Sequence, residues 1–319
     1  MKASNKLQLL AILLLGVLGS ILPLTAAPES ERPGEVKTDI VYKTIGKKEL
    51  HLDLFYPEKD PEGKYPVVIY THGGGWAAGS KDKAKSGSLG ETVLGLTQKG
   101  FAVAAVQYRL YSKNGIVTIK DCVTDSKDAI RYLAKNSEEL HVDTNRVFTF
   151  GDSAGGQLSM MLLLAPPELF PGDEGLKDET YTTVAGVSWY GPSDFQDMQL
   201  FNHDDSPNFK DRFGGRILAK DSDPKDKDAL YKEMSPVTYL KKDSPPLFMI
   251  QGDGDTTIPV KHAYHMEKLA KELGAPVEIL IIKGSGHNWR QAVPKTPIDP
   301  GTDVIVERSI DFLVDHMEE

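Results

Sequence analysis

Residues 146–165 read "RVFTFGDSAGGQLSMMLLLA": a short apolar run, a serine bracketed by glycines, then a run of leucines and methionines. Arg146 to Phe150 has the alternation of a strand and residues 154–165 the pattern of a helix, so Ser153 stands where a sheet hands over to a helix. Gly151 lies two residues before it and Gly155 two after. At such a corner the serine backbone is strained and its flanks must be almost free of side chain, which is what the G-x-S-x-G spacing supplies. A tight turn without chemistry needs the glycines but not the serine, and the aspartate just before it, Asp152, is equally unexplained by a turn.

Outward from that corner, strand-like and helix-like segments alternate from Asp39 onward, the signature of an α/β chain with a mostly parallel sheet covered on both faces. "TDIVYKTIG" and "KELHLDLFYP" read as an initial antiparallel pair. Apolar runs follow at "YPVVIYTHGG", "GFAVAAVQYR", "RVFTFGDS", "VAGVSWYG", "PPLFMIQGDGD" and "APVEILIIKGSGH". Helical patterns are expected at about 118–136, 154–165, 260–273 and 302–316. In open α/β sheets ligands bind outside the carboxyl ends of the strands, so the polar residues just after each apolar run are the ones to watch. Residues 192–240 break the alternation: they are charged, lack an apolar period, and read as an insertion of the kind that forms a lid or shapes a substrate site.

Residues 1–27 combine Lys2 and Lys6, an apolar stretch from Leu7 to Leu22 and the small-residue end "PLTAA". That is the pattern of a signal peptide cleaved near Ala27, and it predicts export to a periplasmic or extracellular location. An uncleaved transmembrane anchor is the lesser alternative, because the stretch is short for a span of about 20 residues and is interrupted by Gly16, Gly19 and Ser20; after cleavage no stable membrane association is expected. The remaining chain, 36–319, is long enough for one large domain. The full chain has a net charge of −9 at pH 7, and losing the leader removes two lysines and no acid, which leaves −9 − 2 = −11. Such a surface repels phosphate backbones, so no nucleic-acid partner is expected. The single cysteine, Cys122, falls on the apolar side of a helical pattern and is expected to be a buried thiol.

A serine hydroxyl is a poor nucleophile unless a base takes its proton. His287, in "KGSGHNW", follows the last strand at the same edge as Ser153 and meets that need. His262 and His265 fall in a helical pattern, His51 in a strand, and His141 and His203 in connecting segments. A carboxylate must then fix the imidazole tautomer. Asp255, in "QGDGDTTIP", follows the penultimate strand and is preferred, with Asp253 and Asp194 as rivals. The oxyanion of a tetrahedral intermediate needs N–H donors. "THGGGW" at 71–76 supplies a glycine loop, with Gly73 and Gly74 expected to donate together with Ala154, and His72 to orient the loop.

The motifs "HGGGW", "GDSAGG", "GDGDTTIP" and "GSGH", in that order, resemble the α/β-hydrolase superfamily, and within it the esterases and lipases with an HGGG oxyanion loop, including feruloyl- and acetylxylan-esterase-like members. The resemblance runs from about Val36 to the C-terminus. It implies an α/β-hydrolase fold with Ser153 as nucleophile, His287 as base and acid, Asp255 as its orienting acid, and Gly73, Gly74 and Ala154 as the oxyanion hole. Two departures stand out: "QYRLYSKNG" replaces the "DYRLAPE" of hormone-sensitive-lipase-like members, and Gln251 stands where many relatives carry a histidine.

The expected function is therefore secreted carboxylic-ester hydrolysis through an acyl-enzyme, on a small-molecule or carbohydrate ester, with acetylated or feruloylated carbohydrate as the candidate substrate. An amidase or peptidase of the same fold is the nearest alternative, although Ala154 after the serine leans towards an esterase. A catalytically silent binding protein is the other. Trp76 and Trp289 flank the oxyanion loop and the base and are candidates for walls of the substrate site. No cofactor or metal is called for: "DSDPKDKD" at 221–228 only superficially resembles a calcium loop, having Lys225, Asp226 and Lys232 at its fifth, sixth and twelfth positions.

Overall fold

Strand β3 (Tyr65–Thr71) is buried along its whole length, as expected of a short apolar run that is covered on both faces. The computed structural model describes residues 34–59, 63–113 and 116–317; the leader expected at 1–27 lies outside them. Among the described residues, eight strands form one sheet: β1 (Val36–Ile45), β2 (Lys48–Phe55), β3, β4 (Ala102–Val106), β5 (Val142–Asp152), β6 (Thr183–Trp189), β7 (Leu247–Gly252) and β8 (Val277–Ile282). Their spatial order is β1-β2-β4-β3-β5-β6-β7-β8. The first two strands pair antiparallel and β2 meets β4 antiparallel, while β4, β3 and β5 to β8 run parallel.

The helices are α1 (Gly87–Gln98), α2 (Ile119–Lys135), α3 (Ala154–Leu164), α4 (Lys227–Met234), α5 (Lys261–Leu273) and α6 (Thr302–Asp315). Their ends follow local chemistry. Thr118 and Asp121 form a reciprocal capping box at the start of α2, and Gly274 closes α5 in the left-handed conformation. Alternation along β7 sorts the two layers: Leu247 and Met249 join the core under α2, α3 and α5, whereas Phe248 and Ile250 join the core under α1 and α6. Helix α3 is apolar on every side and buried at every residue, which fixes the position of its first turn firmly against β5 and β6.

Residues 192–240 lie between β6 and β7 and contain α4 with several short 3-10 turns, including Gly214–Arg216. Phe195 and Phe213 from this insertion pack on Trp76, with ring centroids 5.8 and 5.7 Å away. The insertion is thus seated on the loop that follows β3. Cys122 is buried in α2, where burial pushes its thiol well above the ordinary range. No helix among the described residues is long and apolar enough to cross a membrane.

Candidate active site

The chain leaves β5 at Asp152 and enters α3 at Ala154, so Ser153 alone makes the corner, with φ 55° and ψ −117°. This is a disfavoured conformation for a residue with a Cβ, held by the Ser153 N–H bond to the Trp189 carbonyl (2.8 Å). The flanking glycines are a steric requirement: a Cβ on Gly151 would strike the Gly155 carbonyl, and one on Gly155 would strike the Thr71 carbonyl. Sequence spacing and backbone strain therefore have one cause, the close approach of β3, β5 and α3.

His287 Nε2 lies 2.9 Å from Ser153 Oγ, and His287 Nδ1 lies 2.7 Å from Asp255 Oδ2. An ionised carboxylate can only accept, so Nδ1 carries the hydrogen and Nε2 is left to receive the serine proton. Asp255 is buried, and its Oδ1 also accepts from the N–H groups of Thr257 (2.8 Å) and Ile258 (3.0 Å). Gln251, at the position noted for its missing histidine, donates from Nε2 to Asp255 Oδ2 (3.1 Å) and to the Ile258 carbonyl (2.7 Å), so it holds the acid and its loop together. Of the rival acids, Asp253 is exposed, and Asp194 contacts His265 Nε2 at 3.1 Å instead of His287. Burial works to raise the Asp194 carboxyl, but bonds from His265, the Gln196 N–H and Ser235 outweigh it and hold the group below its ordinary range.

The loop after β3 corrects one expectation. Gly73 was expected as an oxyanion donor, but its N–H is committed to Asp152 Oδ1 at 2.7 Å. Nor is Gly73 among the residues lining the cavity that Ser153 and His287 share, a space of about 360 Å³ lined by Gly74, Gly75, Trp76, Phe213, Arg216 and Asn288 among others. Gly74 and Gly75 do line that cavity, and their N–H groups meet no acceptor among the described residues. Gly74 has φ 135° and no room for a Cβ, which would strike the Ala78 carbonyl. The third amide, that of Ala154, opens α3 and has no carbonyl a turn earlier to receive it.

Asp152 answers the question raised by its place before the serine. Its carboxylate is almost wholly buried, and besides Gly73 it accepts from the Tyr70 hydroxyl (3.0 Å), with Lys83 Nζ 3.3 Å from its second oxygen. A side chain next to Ser153 thereby fixes the oxyanion loop, a role that spacing alone did not reveal. Trp76 lines the cavity with its indole N–H bonded to Gln157 Oε1 (3.0 Å). Trp289 does not line it. That ring packs edge-on against Trp189 (5.5 Å) and Tyr190 (4.6 Å), and Tyr190 in turn stands 4.8 Å from the His287 ring, so Trp289 belongs to the core beneath the base.

His72 stacks on Tyr108 (4.3 Å) and has Nδ1 3.0 Å from the Gly73 carbonyl, a loop-orienting position. Burial pushes it down to about 4, and likewise pushes His262 down to about 3. Both imidazoles are neutral in the folded chain, whereas in the unfolded chain they take up a proton near pH 6.5. Their contribution to stability is therefore complete above that pH and is lost as pH falls towards 4 and 3, by about 1.4 kcal/mol per pH unit for each imidazole. Urea unfolding between pH 7 and 5 should show this slope, and His262→Gln should flatten it; an unchanged slope would show that His262 does not titrate this way.

Residues 52–270 match the model of the BD-FAE family. The chain belongs to the BD-FAE family. This places it in the esterase group of α/β-hydrolases, in agreement with the sheet order and with the motifs that carried the resemblance. The "probable carboxylic ester hydrolase LipM" of Mycobacterium tuberculosis is 31% identical over 70% of this chain and 49% of its own length. The isoprenylcysteine alpha-carbonyl methylesterase ICME of Arabidopsis thaliana is 26% identical over 79% of this chain and 56% of its own. The chain thus spans about half the length of these curated relatives. A solved structure described as a truncated form of a carbohydrate esterase from gut microbiota has a TM-score of 0.73 at 22% identity, covering 92% of this chain and 99% of that one. Propionate-bound esterase 2 of Thermogutta terrifontis has a TM-score of 0.67 at 22% identity, covering 90% and 96%. At these identities the likeness establishes the fold of this family member.

Proposed function

We propose that this BD-FAE family member is a serine hydrolase of carboxylic esters that works through an acyl-enzyme. The observation that carries the reading is the unbroken contact from Ser153 Oγ through His287 to Asp255 beside a cavity floored by unpaired amides. In the first half-reaction His287 Nε2 takes the Ser153 proton while Oγ bonds to the ester carbonyl carbon. The oxyanion lies towards the N–H groups of Gly74, Gly75 and Ala154. Collapse breaks the bond to the alcohol oxygen, which leaves with the proton from His287. Water then repeats the sequence, with His287 as base, and frees the acid and Ser153.

The names of LipM and ICME, both ester hydrolases, support the reaction class. The reading extends to esters of carbohydrates, acetylated or feruloylated, on the strength of the structural kinship with a carbohydrate esterase, and to export, on the strength of the basic and apolar start of the chain. Esterase 2 of Thermogutta terrifontis has been described phosphonylated by sarin, and a milder phosphonate gives the test. Stoichiometric treatment should abolish ester hydrolysis and leave one phosphonyl adduct on the tryptic peptide that contains Ser153. Full inhibition with the adduct elsewhere, or full labelling with activity intact, would overturn the assignment. Acetate release from acetylated xylan, compared with hydrolysis of an octanoyl ester, then tests the carbohydrate reading.

A further inference from the structure

The insertion between β6 and β7 places one charged side chain in the cavity whose charge no group among the described residues answers. Arg216 lines the same space as Ser153 and His287, and its Nη1 donates to the Gly75 carbonyl at 2.7 Å. Its guanidinium also lies over the Phe213 ring, 5.2 Å from the centroid. No carboxylate among the described residues forms an ion pair with it. Asp211, which opens this turn, is occupied by the Tyr231 hydroxyl (2.6 Å) and by the N–H groups of Phe213 (3.0 Å) and Gly214 (2.7 Å). The other cation lining the cavity, Lys83, is answered by Asp152 at 3.3 Å. A half-buried guanidinium beside a lone neutral acceptor is short of counter-charge, and burial pulls Arg216 below its ordinary range. Among the described residues, only one of its five N–H groups finds a partner.

We propose that Arg216 selects esters that carry an anionic group, in the first place a carboxylate, in the acyl or the alcohol portion. The inference rests on the ester-hydrolase reading above. A guanidinium offers a planar pair of donors that matches a carboxylate, and its partial burial makes that charge-assisted contact stronger than one in open water. The chain as a whole is acidic and repels such substrates at long range, so selection must come from this local charge. An aldonic or uronic acid residue of a polysaccharide, or a dicarboxylic half-ester, presents the required chemistry.

Two matched pairs separate the acyl from the alcohol side: monoethyl succinate against ethyl butyrate, and 4-acetoxybenzoate against phenyl acetate. In at least one pair the wild type should prefer the anionic member in kcat/KM, and the preference should shrink as salt is raised. Arg216→Gln should reduce the preference by about 10–100-fold, with Arg216→Lys keeping part of it. If Arg216 only braces the glycine loop through Gly75, both members of each pair should fall together and the ratio should stay put, which would overturn the inference. Neutral members preferred in both pairs would overturn it too, even if Arg216→Gln failed to fold, because the wild type alone decides that result. Absence of hydrolysis of all four esters would instead count against the ester-hydrolase reading.

Discussion

Ser153→Ala should lower kcat on a short-chain ester by about 10⁶-fold, because a nucleophile and its base act as a unit and losing one forfeits most of what both supply. The substitution removes a single oxygen whose partner is His287 Nε2 at 2.9 Å and leaves the corner's backbone bond to Trp189 in place. Thermal unfolding should therefore shift by only a few degrees, about the effect of 1 kcal/mol in a domain of this size. Steady-state assays must be run with an enzyme preparation free of wild-type contamination, since a trace at one part in 10⁵ would dominate a loss of about this size. Turnover within tenfold of wild type would mean that the acyl group does not pass through Ser153.

Asp255→Asn carries the second largest expected effect, a fall in kcat of about 10⁴-fold with KM little changed. An amide in place of the carboxylate can present a donor to His287 Nδ1, which favours the tautomer with hydrogen on Nε2 and so removes the acceptor that Ser153 needs. The imidazolium formed during attack also loses its counter-charge. The site amplifies this: Gln251, Thr257 and Ile258 all point donors at the carboxyl, so the amide nitrogen faces donors wherever it turns. Asp253→Asn is the companion measurement, because that residue is exposed and should leave kcat within about threefold, in line with substitutions away from special features. A large loss in Asp253→Asn with a small one in Asp255→Asn would reverse the choice of acid.

The parts of this molecule that could be read from the sequence are those whose cause is local. Ser153, His287 and Asp255 each follow an apolar run directly, and the glycines around them announce turns, so their convergence at one sheet edge follows from parallel strands. The helices with capping signals or clear periods, α2, α5 and α6, begin and end within a residue or so of their expected limits. Helix α1 was not legible because three glycines in its twelve residues dilute its apolar face. Gly73 in the "HGGGW" loop was not legible for a different reason: its N–H is taken by the side chain of Asp152, 79 positions away, and no pattern within the loop encodes that. Trp289 shows the same limit in reverse. A tryptophan beside the base fits a wall or a core equally well until Trp189 and Tyr190 are seen against it. Arg216 and Phe213 sit in a segment without periodicity, so their approach to Trp76 and Gly75 could not be inferred from spacing.

The bond from Gly73 to Asp152 has a mechanical meaning. Asp152 and Ser153 share a peptide unit, and the loop bearing Gly74 and Gly75 hangs from the Asp152 carboxylate, so the proposed attacking atom and the proposed charge-receiving amides are mounted on one bracket. On that reading, the gap that a reacting carbonyl has to fit is set by a few covalent and hydrogen bonds rather than by the spacing of distant strands.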